Sequence, residues 1–342
     1  MTSGQTASLK KTLTRFFSNM LVRTVLLPSV LASIPKEQRS LYRLAIIQLE
    51  TLEKNGLILV DDNECIQKLL VQGIDEWPQK FRKEAKVLLK RLSDKNRFVK
   101  VSLRDEIQST CAKKICNDCI KIAREHCPTA VIASQECNRC AKQQLALVTL
   151  VKVVDVVEDS ISDFLPGDRI LNKGEWTQKE FEQEIMIPLL RDAKDVKIYD
   201  RYIGRSILTK NAAKYQSTLE WIIKVFLRER DSKLKGVFEV YGGVETHSIP
   251  KPKIPDAVAA LRKLETNLRL IHPNFKLIIK DETQGSQMPH DRFLVTNQVA
   301  VSIGRGFNLL FGGSSRLVRD VTVAYCSEPG KVEQYVRTLP DL

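Results

Sequence analysis

The chain has 342 residues, 43% of them apolar, enough for two ordinary domains each with a core of its own. Lys and Arg outnumber Asp and Glu by 54 to 41, and the resulting charge of +13 points to a polyanionic partner, nucleic acid or an anionic membrane surface. Phe16 to Leu31 is broken by Arg23 and Pro28, and Leu145 to Val157 is short and carries Lys152 and Asp155; neither a signal peptide nor a transmembrane segment is expected, and the predicted location is cytoplasmic.

In chain order, residues 1–17 read as a flexible basic arm, with Lys10, Lys11 and Arg15 among Ser and Thr. Residues 18–165 read as an α/β N-terminal domain. Its predicted elements are an apolar run at 22–31, a helix over 36–54, a strand over 57–60 stopped by Asp61-Asp62-Asn63, helices over 64–72 and 78–92, and a strand over 98–101. Leu145 to Val157 reads as a buried element, and Pro166-Gly167-Asp168 with Asn172-Lys173-Gly174 as the interdomain linker. Residues 176–342 form the second domain. Thr177 with Glu180 is a capping box opening a helix to about Ala193. Strands at 196–202, 236–241 and 275–279 then alternate with helices at 214–229 and 256–271, and strands at 292–296, 299–303 and 321–325 follow. This is βαβ spacing, which favours a mixed sheet flanked by helices.

The chain holds eight cysteines. Cys116-x2-Cys119 and Cys137-x2-Cys140, separated by 17 residues, fit two knuckles of a four-thiolate structural zinc site. Cys111, His126 and Cys127 lie near enough in sequence to replace a ligand, and Lys113, Lys114, Lys121, Arg124 and Arg139 would offset the thiolate charge. The same spacing also suits paired cysteines on one helix face. Cys65 and Cys326 read as core residues.

His290-x-Arg292-x4-Asn297, followed by Gly304-Arg305-Gly306-Phe307-Asn308, keeps the spacing of the phospholipase D signature H-x-K-x4-D with its later small-residue turn. Residues 176–342 resemble one half of that superfamily, and resemble still more the C-terminal domain of MIT-domain proteins through His290, Asp291, Arg292, Asn297, Ile303, Gly304, Arg305 and Gly306. The resemblance implies a phospholipase-D-like half whose active form pairs two histidines, so activity in a chain with one motif would need a homodimer. The catalytic set would be His290, Arg292 and Asn297. A guanidinium at 292 can grip phosphate with two parallel bonds, whereas Asn297 lacks the charge to steady an imidazolium. Arg305 adds charge in place of the usual Ser.

Tyr199-Asp200-Arg201-Tyr202 places Asp200 and Tyr202 on one face of a strand, Tyr199 and Arg201 on the other. If that strand neighbours the His290 strand, Asp200 or Arg201 joins Arg292 and Arg305 around a phosphate; the alternative is a structural Asp–Arg pair. His247 and His272 receive no role. The function expected first is a phosphate-backbone binder of nucleic acid, in a context such as bacterial defence or DNA processing. With aromatic residues at only 6%, contact with the backbone is favoured over base stacking. Three alternatives accompany it: a metal-independent phosphodiesterase or nuclease using His290, an anionic-lipid or protein-interaction module, and a metal-dependent nuclease in the first domain on Asp61, Asp105 and Asp155.

Overall fold

The computed structural model describes residues 21–103, 115–146, 148, 151–155, 168–229, 236–282, 292–304, 307, 310–311, 314–326 and 329–342. The chain divides into two compact units, Met1–Pro166 and Gly167–Leu342. Among the described residues no helix is long and apolar enough to cross a membrane.

The first unit is built on β1 (Val22–Leu26), β2 (Gly56–Asp61), β3 (Phe98–Val101), β4 (Ala130–Ala133) and β5 (Lys152–Asp155). These form one five-stranded sheet in the order β3-β2-β1-β4-β5, with every pair parallel. Every residue of β2 and β4 is buried, which is why both strands read as continuous apolar runs with no polar alternation. The helices are α1 (Ser29–Ala32), α2 (Arg39–Asn55), α3 (Cys65–Gly73), α4 (Gln79–Asp94), α5 (Cys116–His126) and α6 (Gln135–Leu145). α2 buries Tyr42, Ala45, Ile46, Leu49 and Leu52, a stripe at steps of three and four that one helix face presents to the core. Tyr42 stacks on Phe81 at 5.3 Å and meets Trp77 edge-on at 5.1 Å. Arg97 is wholly buried and donates from Nη2 to the Lys54 carbonyl at 2.7 Å, so its charge ends on the carbonyl at the close of α2. The cysteine region, expected as metal knuckles, is instead helix, strand and helix: α5, β4 and α6.

Among the described residues the second unit holds seven strands: β6 (Arg169–Leu171), β7 (Asp195–Asp200), β8 (Val237–Val244), β9 (Phe275–Asp281), β10 (Arg292–Thr296), β11 (Ala300–Ile303) and β12 (Val321–Cys326). The order is β6-β12-β11-β10-β7-β8-β9. β7, β8 and β9 run parallel, and the remaining pairs are antiparallel. The mixed sheet flanked by helices expected from the sequence is therefore what forms.

The unit begins earlier than residue 176, because β6 pairs Leu171 with Val321 and Arg169 with Val323. Asn172-Lys173-Gly174 is accordingly a turn inside this unit rather than linker, with the Lys173 amide donating to Asp320 Oδ1 at 2.7 Å. The Thr177–Glu180 capping box is present and opens α7 (Gln178–Phe181). A π-helical turn, Glu182–Met186, then leads into α8 (Ile187–Leu190), and Trp221 Nε1 and Arg228 Nη2 both donate to the Glu182 carboxylate. The later helices are α9 (Ile203–Ile207), α10 (Ala212–Glu229), α11 (Ile254–Arg269) and α12 (Pro329–Arg337). Phe226 of α10 packs on Phe238 of β8, which stacks on Phe275 of β9, fixing α10 against the parallel half of the sheet. Val332 and Val336 of α12 pack with Tyr199, Val295 and Ala300.

Candidate phosphate-binding site

In open sheets with parallel strands, ligand sites form outside the carboxyl ends of those strands. In the second unit β7 reaches that edge at Asp200, in register with Gly242 of β8. β10 runs against β7 with Phe293 opposite Tyr199, so its first residue, Arg292, stands at the same edge. β7 and β10 are neighbours, the condition on which Asp200 or Arg201 was expected to join a site with Arg292, and both residues come near it.

Arg292 Nε lies 3.6 Å from Asp200 Oδ1, an ion pair longer than a hydrogen bond. Its guanidinium sits over the Tyr202 ring, 4.7 Å from the centroid, and the Arg201 guanidinium lies 5.4 Å from the same centroid. Two cations thus lie against one aromatic ring. Arg201 Nη2 is also 3.7 Å from Glu282 Oε2. Asp200 is 1% exposed, while the Arg292 side chain keeps 19% of its surface in solvent. Burial pushes the Asp200 carboxyl up to about 6, against the pull of Arg292 and the Tyr202 amide. Asp200 accepts hydrogen bonds from the Tyr202 amide at 2.9 Å and from the Tyr215 hydroxyl.

The strict face alternation expected over Tyr199–Tyr202 ends with the strand at Asp200. Arg201 and Tyr202 lie in the turn before α9, and that turn brings Arg201 and Tyr202 together. Glycine makes the turn fit: a Cβ on Gly243 would lie 2.5 Å from the Arg201 carbonyl oxygen, and one on Gly204 would lie 2.7 Å from the Gly243 oxygen. Two residues missed in the sequence complete the cluster. Tyr215 is buried on α10, and Glu282, 1% exposed, follows β9. A run of acid after an apolar strand, Asp281-Glu282, was the available signal. His247, to which the sequence reading gave no role, has Nδ1 at 2.9 Å from the Glu282 carbonyl oxygen.

Asn297 is not part of this cluster. It lies in the β10–β11 connection at the far end of β10, where its Oδ1 accepts from the Lys194 amide at 2.7 Å and the Asp195 amide at 3.4 Å. Five residues of extended chain separate it from Arg292, about 17 Å at the usual rise of a strand. Gly304, whose amide donates to the Thr322 carbonyl at 2.9 Å, follows Ile303, and Ile303 is the register partner of Arg292. His290, Asp291, Arg305 and Gly306 lie outside the described residues.

The four cysteines of the expected zinc site are not gathered into one cluster. Cys116 and Cys119 share α5, Cys137 and Cys140 share α6, and no tight knuckle turn carries either pair. Cys119 is wholly buried, whereas Cys140 is exposed and takes a hydrogen bond from Gln144 Nε2 at 3.1 Å. Burial drives the Cys119 thiol well above its ordinary range. Only Cys116 and Cys137 meet, at 3.1 Å between sulfurs. Among the described residues no group of three or more His, Cys, Asp or Glu is placed to hold a metal ion. Of the proposed replacement ligands, His126 Nε2 engages the Ser102 carbonyl at 2.9 Å, Cys127 is an exposed helix cap, and Cys111 lies outside the described residues.

Of the three carboxylates named for a metal-dependent nuclease in the first unit, only Asp61 has a described side chain. Asp61 accepts from the Cys65 amide at 3.0 Å and the Ile66 amide at 2.8 Å, capping α3 with both oxygens. Asp105 and the Asp155 side chain lie outside the described residues. No family model matches the chain, and no curated protein resembles it closely enough to count as a match.

Proposed function

We propose that the second unit binds phosphate of a nucleic-acid backbone at the Arg201–Tyr202–Arg292 edge, as a phospholipase-D-like half related to the C-terminal domain of MIT-domain proteins. The observation that carries this reading is the pair of guanidiniums held against one tyrosine ring at the carboxyl ends of parallel strands. Arg292 retains access to solvent, and its partner Asp200 is a carboxyl that burial inclines toward neutrality, so an incoming phosphate competes against a weakened counter-charge. Contacts of this kind position a duplex without reading its bases, in keeping with a net charge of +13. The test is binding of labelled duplex DNA and RNA across a salt series by wild type and Arg292→Ala. The reading requires affinity that falls steeply with salt and a smaller salt slope in the variant. Binding that is absent at low salt, or indifferent to Arg292, would remove it.

A second reading, a metal-independent phosphodiesterase using His290 in a homodimer, gains from one observation. Asn297 caps the backbone ahead of β7 through a carbonyl oxygen, a task Asn and Asp perform alike. The exchange of acid for amide at that position therefore does not disarm an arrangement around Arg292. Cleavage of either nucleic acid in chelator by wild type, lost in His290→Ala with binding retained, supports it. Intact substrate throughout leaves the binding module alone.

A further inference from the structure

We propose that Cys116 and Cys137 form a reversible disulfide by exchange with small disulfides such as oxidised glutathione, making the crevice beside Ser29 a thiol-redox site. This rests on the first unit alone and is independent of the phosphate-binding reading.

The strand order places the crevice. β1 neighbours β2 on one side and β4 on the other, so the chain leaving β1 and the chain leaving β4 diverge at the carboxyl edge, the switch point where open parallel sheets take their ligands. A cleft of about 140 Å³ opens there, lined by Ser29, Ser33, Gln38, Ser134 and Glu136 among others. At its inner end Ser29 Oγ donates to Cys137 Sγ at 3.3 Å, and accepts from Ser134 Oγ at 3.2 Å and from the Cys116 thiol at 3.7 Å. The two sulfurs are 3.1 Å apart although the residues are 21 apart in sequence and sit on different helices. A disulfide needs an approach of only about 1 Å more, within the reach of side-chain rotation.

The two thiols are unequal, which orders the steps. Cys116 is buried and Cys137 is partly exposed, so Cys137 meets the reagent first. Its sulfur attacks one sulfur of the small disulfide. A protein–glutathione bond forms, the reagent's S–S bond breaks, and one glutathione leaves carrying the proton that Cys137 gave up. Cys116, whose sulfur lies 3.1 Å away, then attacks the Cys137 sulfur. The second glutathione leaves with the Cys116 proton. In balance, two protein thiols are oxidised to one disulfide and one small disulfide is reduced to two thiols. Cys119, wholly buried, and Cys140, turned to solvent, stay outside the exchange.

The test uses the full chain in glutathione buffers of rising oxidised-to-reduced ratio, with alkylation, peptide mapping and metal analysis of the starting protein. The expected result is a Cys116–Cys137 linked peptide that rises with the ratio and disappears under dithiothreitol. Cys116→Ser should halt at a glutathione adduct on Cys137, and Cys137→Ser should give neither product. The wild-type map stands without either variant. The proposal is overturned by thiols that remain alkylable at every ratio, by a disulfide joining another pair, or by stoichiometric zinc released when these thiols are modified.

Discussion

Both sheets present the carboxyl ends of parallel strands at one edge, and the two edges are furnished differently. In the first unit that edge carries Ser29, Ser134, Cys116 and Cys137, small neutral groups bonded to one another. In the second it carries Arg201, Arg292, Asp200 and Glu282 around Tyr202. The parallel strands give both edges the same backbone setting, and the side chains standing there give each a different chemistry. The overall positive charge of the chain would suit phosphate at either edge; among the described residues, the second edge gathers two guanidiniums around one ring.

The sharpest way to break this contrast is to remove the backbone fit beneath one edge. Gly243→Ala sets a Cβ 2.5 Å from the Arg201 carbonyl oxygen, so thermal unfolding should show a loss of about 2–3 kcal/mol together with lost nucleic-acid binding. Oxidation of Cys116 and Cys137 should be unchanged in that variant. Arg292→Ala is expected to lower duplex affinity about tenfold at low salt, roughly the loss of one charge-assisted phosphate contact. Ser29→Ala, altering the other edge, should leave that affinity alone; equal losses from the two variants would dissolve the distinction. Asn297→Ala removes the acceptor for two backbone amides and should cost about 1 kcal/mol in denaturant titration, with phosphate binding intact.

A smaller effect follows from pH. The Asp200 carboxyl is raised from 3.8 in the open chain to about 6 in the fold, so across that window the folded protein binds more protons than the unfolded one. Its contribution to stability is thus present at the acid end and declines as pH rises through about 6. Protonation also relieves Arg292 of its counter-charge, so phosphate affinity should climb as pH falls through the same value, and Asp200→Asn should flatten that part of the profile. Smallest of all, Arg43→Ala in the first unit should stay within about 0.5 kcal/mol of wild type by thermal melt, since Arg43 and Glu84 meet at 3.5 Å on an exposed surface.

Much of the fold was legible because burial on both faces leaves unbroken apolar strands, as in β2, and because Thr177 and Glu180 mark a helix start through a specific pair of hydrogen bonds. The cysteine region was harder to read because C-x2-C is at once a knuckle and one turn of helix, and the burial of Cys119 against the exposure of Cys140 depends on the sheet beneath. α12 escaped notice since its core contacts rest on few residues, Val332 and Val336 among them. The site was half visible. Arg292, Asp200 and Arg201 could be named, but Asn297 was grouped with them by motif spacing when its distance along an extended strand already placed it at the opposite end. Tyr215 arrives from a helix and Glu282 from the chain just past a third strand, and no local pattern links them to Arg292.

The three residues of β6 have a practical consequence for anyone cutting the chain. They cover the outer edge of β12 through pairs from Leu171–Val321 to Arg169–Val323. A fragment begun at residue 176, where the helical signature starts, would leave that edge with unmet backbone donors and acceptors, a template for sheet-to-sheet aggregation between copies. Begun at Asp168, whose carboxylate receives the Tyr325 amide at 3.2 Å, the fragment retains its own edge guard.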